Sequence, residues 1–191
     1  MSNNDLLAAR QQRLERFDAA KLMLGQVELP AVEPGLDWDT LLTLPQWCYW
    51  PKPEQLRLIL VAGALFSAPA MRLWIDASRI RVARELIGDN TFERVMANDA
   101  VPKEPIELMS SDNVEALFLS TGAAVLLGST HKALQHYVSC LLPESAGDLP
   151  SNIAQLLLSQ ALSTLTAINQ FNESRQTTED DVDTSRQEGA L

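Results

Sequence analysis

The chain has 191 residues, a formal net charge of −10 and a hydrophobic fraction of 46%, which suits one globular domain with a substantial core. This charge argues against binding of a nucleic-acid backbone as the main function, because such binding depends on Lys and Arg. Cys48 and Cys140 are too few for a disulfide scaffold and lack metal-ligand spacing, so we predict two buried free thiols and no cofactor.

The first predicted element is an N-terminal helix over residues 1–25, capped by Asn4 or Asp5 and ended by Gly25. Its apolar face docks either on the core, which we favour, or on a partner. The segment lacks the apolar run of a signal peptide. We therefore expect a cytoplasmic protein.

Residues 26–172 are predicted to form a single compact all-α core domain, entered through a proline-rich connection. Trp38, Trp47, Tyr49 and Trp50 lie within thirteen residues of one another. Aromatic side chains are enriched at interface hot spots, so Trp47, Tyr49 and Trp50 are a candidate protein-binding patch. The alternative, which we favour, is that these rings cover one end of the core.

The most continuous apolar run predicts a helix that begins near Pro53 and is buried on most sides. Gly63 in this run is suited to a close helix crossing. Pro69 is expected to break or kink the helix, so we predict a further helix over Ala70–Ile75.

Two shorter helices are predicted next. Asp76-Ala77-Ser78 is an N-cap signal for a helix over Arg79–Ile87, and Gly88 is suited to its C-terminal end. The two residues after Gly88 are candidate caps for a helix over Thr91–Met96.

Four arginines follow the apolar run and form the second candidate protein-binding surface: Arg72, Arg79, Arg81 and Arg84. One interpretation is a docking surface for an acidic partner. The other is intramolecular pairing, for example with Glu85, Asp89 or the acidic C-terminal tail. Isolated surface ion pairs contribute only about 0–1 kcal/mol, so both interpretations stay open.

After a proline-containing loop, a long helical region is predicted from Ser110–Asp112 to Pro143, with Gly122 and Gly128-Ser129 marking close packing or a break. A last helix, capped by Ser151, is predicted with this buried face: Ile153, Leu156, Leu157, Ala161, Leu165 and Ile168.

The region Leu149–Asn172 carries no charge, but its many polar residues indicate an amphipathic helix and not a membrane span. Residues 173–191 are rich in acids and poor in apolar side chains, which predicts a disordered tail.

No catalytic motif is found. His131 and His136 are five residues apart, so on a helix they would point about 140° from each other, a poor arrangement for a metal or acid–base pair. No glycine-rich phosphate loop or nucleophile elbow occurs. The sequence therefore predicts a protein that is not an enzyme.

The stretch Leu44–Met96 resembles the SctK family of type III secretion proteins, which includes YscK, OrgA and MxiK. The likeness lies in an order of features: Leu44-Pro45-Gln46-Trp47, the leucine-rich Leu56–Gly63, Ala70-Met71-Arg72, the apolar Val82–Ile87 with Gly88, and Phe92 with Val95-Met96.

The resemblance implies a non-enzymatic cytoplasmic adaptor of the injectisome sorting platform. Such an adaptor links the cytoplasmic domain of the inner-membrane ring protein (SctD-like) to the C-ring-like pod protein (SctQ-like), with no nucleic acid and no membrane span of its own. The two candidate surfaces above come from residue chemistry and not from a family motif. The alternative function is a small helical chaperone or regulator that binds a single client.

Overall fold

The structure, a computed structural model, describes residues 43–98 and 113–168 together with Thr40, and within these ranges it is all-α, without strands. The predicted N-terminal helix over 1–25 and the acidic tail 173–191 lie outside the described residues. In ranges 43–98 and 113–168, a short 3-10 helix precedes six α-helices: Gln46–Tyr49, then α1 Lys52–Met71, α2 Ala77–Ile87, α3 Asp89–Ala97, α4 Val114–Ser129, α5 Lys132–Ser139 and α6 over 151–168. None of the described helices combines the length and apolarity that a membrane crossing requires.

Helices α1 and α4 form the centre of the fold and cross at two glycines. A Cβ atom added to Gly63 would lie well inside van der Waals distance of the Phe118 carbonyl oxygen, and one added to Gly122 would meet the Ile59 carbonyl oxygen in the same way. Across this crossing the Thr121 hydroxyl lies 3.4 Å from the Gly63 carbonyl oxygen, to which it can donate. The predicted close packing at both glycines is confirmed.

The remaining helices surround this central pair. Fully buried side chains on α1 and α4 include Leu58, Leu65 and Phe118, and α5 and α6 add Leu134 and Leu157 to the same apolar cluster. Helix α3 packs against both α1 and α2. The prediction that α1 is buried on most sides is confirmed.

Helix α1 continues through Pro69 to Met71, so the predicted break and the predicted helix over Ala70–Ile75 are wrong. A proline removes one backbone donor and crowds the carbonyl four residues earlier. Pro69 lies in the last turn, where this disturbance affects only the end of the helix. The chain then leaves the helix through a turn, in which the Leu73 amide donates to the Ala70 carbonyl at 3.0 Å.

The predicted N-cap signal at Asp76 and the predicted end of α2 are confirmed, but the helix begins at Ala77, two residues before the predicted Arg79. The Asp76 carboxylate accepts a 2.8 Å hydrogen bond from the Ser78 amide at the N-cap. Gly88 ends the helix with a φ of +81°, a conformation that suits glycine. The predicted side-chain cap of α3 is wrong, because Gly88 alone joins the two helices and Asp89 is already the first residue of α3.

The predicted long helical region is two helices. It breaks at Thr130 and His131, directly after the predicted Gly128-Ser129. The Asn113 side chain caps α4, one residue after the predicted range, with a 3.1 Å bond from the Ala116 amide. His131 lies at the N-cap of α5 and His136 lies within that helix, both exposed.

Helix α6 has most of the predicted buried stripe, but Ile153 is only partly buried. Leu157, Ala161, Leu165 and Ile168 are buried, but Leu156 is 41% exposed, so its prediction as a buried residue is wrong. The reason is angular: Leu156 is rotated about 100° from Leu157, off the stripe. The predicted cap is also wrong, because residue 151 is the first helical residue and the Ala154 amide donates to the carbonyl of Pro150.

Candidate protein-binding surface

The aromatic patch is divided between core and surface. Trp47 is 3% exposed and belongs to the main apolar cluster, whereas Tyr49 and Trp50 are half-buried against it. The Gln55 side chain donates to the carbonyls of Cys48 at 3.1 Å and Trp50 at 2.9 Å, which ties this segment to the first turn of α1. The patch therefore presents the partly exposed Tyr49 and Trp50, with Trp47 beneath them as packing.

The two cysteines have opposite environments. Cys48 is 4% exposed, and burial raises the pKa of its thiol to about 12. Cys140 is exposed at the end of α5. The prediction of two buried thiols is therefore confirmed for Cys48 and wrong for Cys140.

Arg72 fastens the end of α1 to the end of α3. Its Nη2 donates to the Met96 carbonyl at 3.1 Å and to the Asn98 carbonyl at 2.6 Å, and its Nε lies 3.3 Å from the same Met96 oxygen. These carbonyls belong to the last turn of a helix, where backbone oxygens lack intrahelical donors. Arg72 therefore has a structural role whatever else it contacts.

Arg84 links α2 to α3. Its guanidinium lies 3.1 Å from the Asp89 carboxylate and 2.5 Å from that of Glu93, and its Cζ stands 4.7 Å from the centroid of the Phe92 ring. The hydrogen bond to Asp89, together with the contact to Glu93, raises the pKa of Arg84. This arrangement is typical of a side chain that fixes the angle between two helices.

Arg79 and Arg81 make looser pairs on α2. Arg79 lies 3.7 Å from Asp76, whose pKa is lowered by hydrogen bonds from Ser78 and further by Arg79. Arg81 lies 3.8 Å from Glu85, and both side chains are largely exposed, at 74% and 68%. All four predicted arginines thus have intramolecular acceptors, and a binding role for them stays a prediction.

The connection between α1 and α2 carries the most exposed large apolar side chains in the described part of the chain. Ile75 is 98% exposed and Leu73 is 68% exposed, while Trp74 between them packs partly on the core. We call Leu73, Trp74 and Ile75 the α1–α2 knuckle. Soluble proteins place such groups together in water mainly where something binds them.

The knuckle is held by its backbone and by its neighbours. The Trp74 amide donates to the Met71 carbonyl at 3.1 Å, Arg72 is fixed to α3, and Asp76 caps the next helix. The two exposed side chains therefore stand on a structured connection and not on a free loop. Such a surface loses little conformational entropy when a partner binds.

Sequence reasoning missed the knuckle because apolar residues after an apolar helix were assigned to a further helix. One signal could have revealed it. The N-cap signal at Asp76 follows Ile75 directly, and Pro69 indicates that the preceding helix ends within a few residues. That spacing leaves room for a connection and not for a helix.

The charges around the knuckle are mainly positive. Arg72 and Arg79 flank it, and Arg94 lies exposed on the last turn of α3, the helix end that Arg72 contacts. Within the described residues Arg94 has no carboxylate partner, and Asp76 is the acid at this site. The knuckle is thus an apolar and basic region in a chain whose net charge is −10.

The described residues contain no group of three or more His, Cys, Asp or Glu side chains that could hold a metal ion. A shallow groove of about 820 Å³ lies between the α4–α5 break and the start of α6. Its lining includes His131, Lys132 and Gln155 and has no carboxylate.

Comparison of the chain with protein-family models, with curated proteins and with solved structures finds no match.

Proposed function

We propose that this chain is a non-enzymatic helical adaptor of the type III secretion sorting platform, located at the cytoplasmic face of the inner membrane through its partners. It bridges the cytoplasmic domain of an SctD-like inner-membrane ring protein to an SctQ-like C-ring-like pod protein. The family assignment rests on the resemblance of Leu44–Met96. The exposed knuckle is the observation that supports protein binding.

The residues that carry the resemblance have structural roles here. Gly63 lies at the central helix crossing, Arg72 fastens α1 to α3, and Gly88 makes the one-residue link between α2 and α3. The likeness therefore concerns one packed unit, the 3-10 helix with α1, α2 and α3. The knuckle lies inside this unit, which is compatible with its use as a docking element of an adaptor scaffold.

Burial of the knuckle in a partner is energetically favourable. Moving a fully exposed Leu or Ile side chain out of water contributes about 1.5–3 kcal/mol each. Ile75, at 98% exposed, could contribute nearly this full amount, and Leu73, at 68% exposed, about two thirds of it. An apolar pocket with an acidic rim would match both these side chains and the neighbouring arginines.

A bridging protein needs two separate binding surfaces. Helix α1 lies between two candidate surfaces. Tyr49 and Trp50 directly precede this helix, and the knuckle directly follows it. A helix of 20 residues is about 30 Å long. Two partners could therefore bind at opposite ends of α1 without competing for the same space.

The test is co-elution with light scattering, using the SctD-like cytoplasmic domain, the SctQ-like protein and both together. The wild-type chain is expected to form a complex with each and a three-component complex with both. The double variant Leu73→Ser/Ile75→Ser should lose at least tenfold in affinity for one partner and keep the other. Leu56→Ser, at another exposed leucine (47%), is the matched control and should retain the knuckle-dependent complex.

Two outcomes would count against the proposal. If folded wild-type protein binds neither partner, the family assignment fails and a chaperone or regulator with a single client becomes the better function. If both complexes form but the double variant binds both normally, the adaptor role stands and the knuckle is not its docking element.

A further inference from the structure

The acidity of this chain lies outside the two long described ranges. Residues 43–98 and 113–168 contain eight Lys or Arg and eight Asp or Glu side chains, so their formal net charge is zero. The net charge of −10 is therefore contributed by residues 1–42, 99–112 and 169–191. The described fold as a whole has no excess negative charge that would repel an acidic segment.

The densest group of acids in the chain is at residues 179–183. In residues 1–42 seven acids are interspersed with four Lys or Arg, and in residues 99–112 four acids are spread over fourteen positions. A compact group of like charges produces a stronger local potential than charges mixed with opposite ones. Residues 179–183 are therefore the segment of this chain best suited to a basic surface. They consist of Glu179, Asp180, Asp181, Val182 and Asp183.

The α1–α2 knuckle is a basic surface with apolar side chains at its centre. Arg72 and Arg79 flank it, and Arg94 is exposed on the last turn of α3. Leu73 and Ile75 are mostly in water between the first two arginines. Basic groups of this kind attract a dense group of carboxylates, which can accept charge-assisted hydrogen bonds from guanidinium groups.

The contacts within the fold leave positive charge at this surface. The Arg72 guanidinium donates to the backbone carbonyls of Met96 and Asn98, and carbonyl groups are uncharged, so these bonds do not neutralise it. The acidic segment also has one apolar side chain, Val182, which can cover part of the fully exposed Ile75. Its composition thus matches both features of the knuckle.

The chain is long enough to bring these acids to the knuckle. Residue 179 follows residue 168, the last described residue of α6, by eleven positions. An extended chain spans up to about 3.3–3.6 Å per residue, which gives roughly 36–40 Å to residue 179 and more to residue 183. A compact domain of roughly 100 residues has a radius of gyration of about 13 Å. The span is therefore comparable to the diameter of the described fold.

We propose that residues 179–183 dock on the α1–α2 knuckle of their own chain and shield it from other proteins. This inference rests on the proposed docking role of the knuckle. Individual surface ion pairs are weak, but a segment of the same chain is present at an effective concentration in about the millimolar range. A contact of millimolar affinity is therefore well populated, and a partner that binds more tightly displaces it.

The experiment is paramagnetic relaxation enhancement in the full chain. A nitroxide label is attached to Thr184→Cys, next to the acids, in a Cys140→Ser background, and Cys48 stays unlabelled because it is buried. The label broadens the NMR signals of nearby amides, and the signals of Leu73 and Ile75 are followed. Spectra are compared at about 0.05 M salt and at about 1 M salt, where the Debye length falls to about 3 Å.

Two variants of the labelled chain differ only in where four negative charges are removed. The test variant neutralises the proposed contact, and the control variant makes the same change of net charge in the N-terminal stretch. The test variant carries Glu179→Gln, Asp180→Asn, Asp181→Asn and Asp183→Asn. The control variant carries Asp5→Asn, Glu15→Gln, Asp18→Asn and Glu28→Gln.

We expect strong broadening of Leu73 and Ile75 at low salt in the labelled chain and in the control variant. The broadening should fall at least threefold in the test variant and at high salt. Absence of broadening at the knuckle overturns the proposal, as does broadening that the test variant retains or that both variants lose equally. Equal broadening of an isotope-labelled chain mixed with a spin-labelled one also overturns it, because that result assigns the contact to a second copy.

Partner affinity separates this inference from the adaptor proposal. Whichever of the SctD-like and SctQ-like proteins depends on Leu73 and Ile75 should bind the test variant about three- to tenfold more tightly than the control at low salt, if the contact is populated to about 70–90%. Equal affinities would show that the knuckle is not shielded. Failure of both proteins to bind would refute the adaptor function, while the relaxation measurement would still decide whether residues 179–183 contact the knuckle.

Discussion

Helix α1 and the connection that follows it have similar apolar sequences and opposite environments. Around Gly63 the helix lies so close to α4 that backbone touches backbone, whereas Leu73 and Ile75, a few residues later, are mostly in water. The difference arises from neighbours and not from composition. Helix α4 covers the apolar face of α1. Five residues connect Met71, the last residue of α1, to Ala77, the first of α2, and no described element covers Leu73 or Ile75 in this connection.

The helix crossing and the knuckle are therefore expected to serve different purposes, the first for stability and the second for binding. At the crossing, each apolar or small residue contributes to the free energy of unfolding, and a change in size is felt by both central helices. At the knuckle, a change of Ile75 removes almost no buried area from the folded chain, and a change of Leu73 removes little. Each region therefore has its own measurement: unfolding for the crossing and partner affinity for the knuckle.

The largest expected effect is at the crossing. Gly63→Ala gains up to about 1 kcal/mol from helix propensity, but the new Cβ would overlap the backbone carbonyl of Phe118. A backbone atom cannot move aside as a side-chain tip can, so α1 and α4 must separate. We expect a net loss of about 3 kcal/mol in the free energy of unfolding, measured by urea denaturation.

Gly128→Ala is the graded control, because its Cβ would lie 3.0 Å from the Ala154 Cβ and from the Leu149 carbonyl oxygen. That contact is tight, but one side of it is the loop before α6, which can shift. We expect a change within about 1 kcal/mol of the wild type. Equal stability losses in both glycine variants would show that the central crossing is not specially constrained.

Much of the fold could be predicted from the sequence, because local signals were strong. Gly63 and Gly122 stood out as small residues in apolar runs, and Asp76 with Gly88 marked both ends of α2. The continuation of α1 through Pro69 could not be predicted, since a proline in the last turn and one that ends a helix have the same sequence pattern.

The candidate site was harder to predict, because exposure depends on tertiary packing. Trp47 and Trp50 are three residues apart in one aromatic cluster, yet only Trp47 is fully in the core. The arginines could be recognised as a group, but their partners could not. Arg72 binds carbonyls of residues more than twenty positions away, a contact that no local spacing encodes.

The next largest effect is expected at Arg72, which lies between the helix crossing and the knuckle and fastens the end of α1 to the end of α3. Arg72→Met keeps most of the aliphatic stem and removes the bonds to the Met96 and Asn98 carbonyls. Hydrogen bonds to a charged group contribute about 1.5–3 kcal/mol, and Arg72 is half-buried. We expect a loss of about 2 kcal/mol in the free energy of unfolding and a weaker attachment of α3.

Arg81→Met is the matched control, because Arg81 makes a long, exposed pair with Glu85. Its loss should change stability by less than about 1 kcal/mol. Hydrogen exchange at the end of α3 should rise in Arg72→Met and not in Arg81→Met. Identical exchange in the two variants would mean that the Arg72 contacts do not hold the two helix ends together.

The smallest expected effect is a change of stability with pH. It is tested by comparing Cys48, which is buried, with Cys140, which is exposed. The raised pKa of Cys48, about 12, means that this thiol stays neutral in the folded chain while it ionises in the unfolded chain above its ordinary value of 9.0. The unfolded state therefore loses protons first, and stability falls as pH rises from 9 towards 12. Between pH 8 and pH 10 this thiol should account for a loss of about 1 kcal/mol.

The contribution of Cys48 to this loss of stability is isolated by comparing variants, because other groups also titrate in this pH range. Cys48→Ala should show a smaller fall in unfolding free energy between pH 8 and pH 10 than the wild type, whereas Cys140→Ala should match the wild type. Iodoacetamide at pH 8 should modify Cys140 in the native protein and Cys48 only after unfolding, because the thiolate is the reactive form. Rapid native labelling of Cys48 would show that the segment before α1 opens readily, which would place Trp47 and its neighbours on a mobile edge of the core.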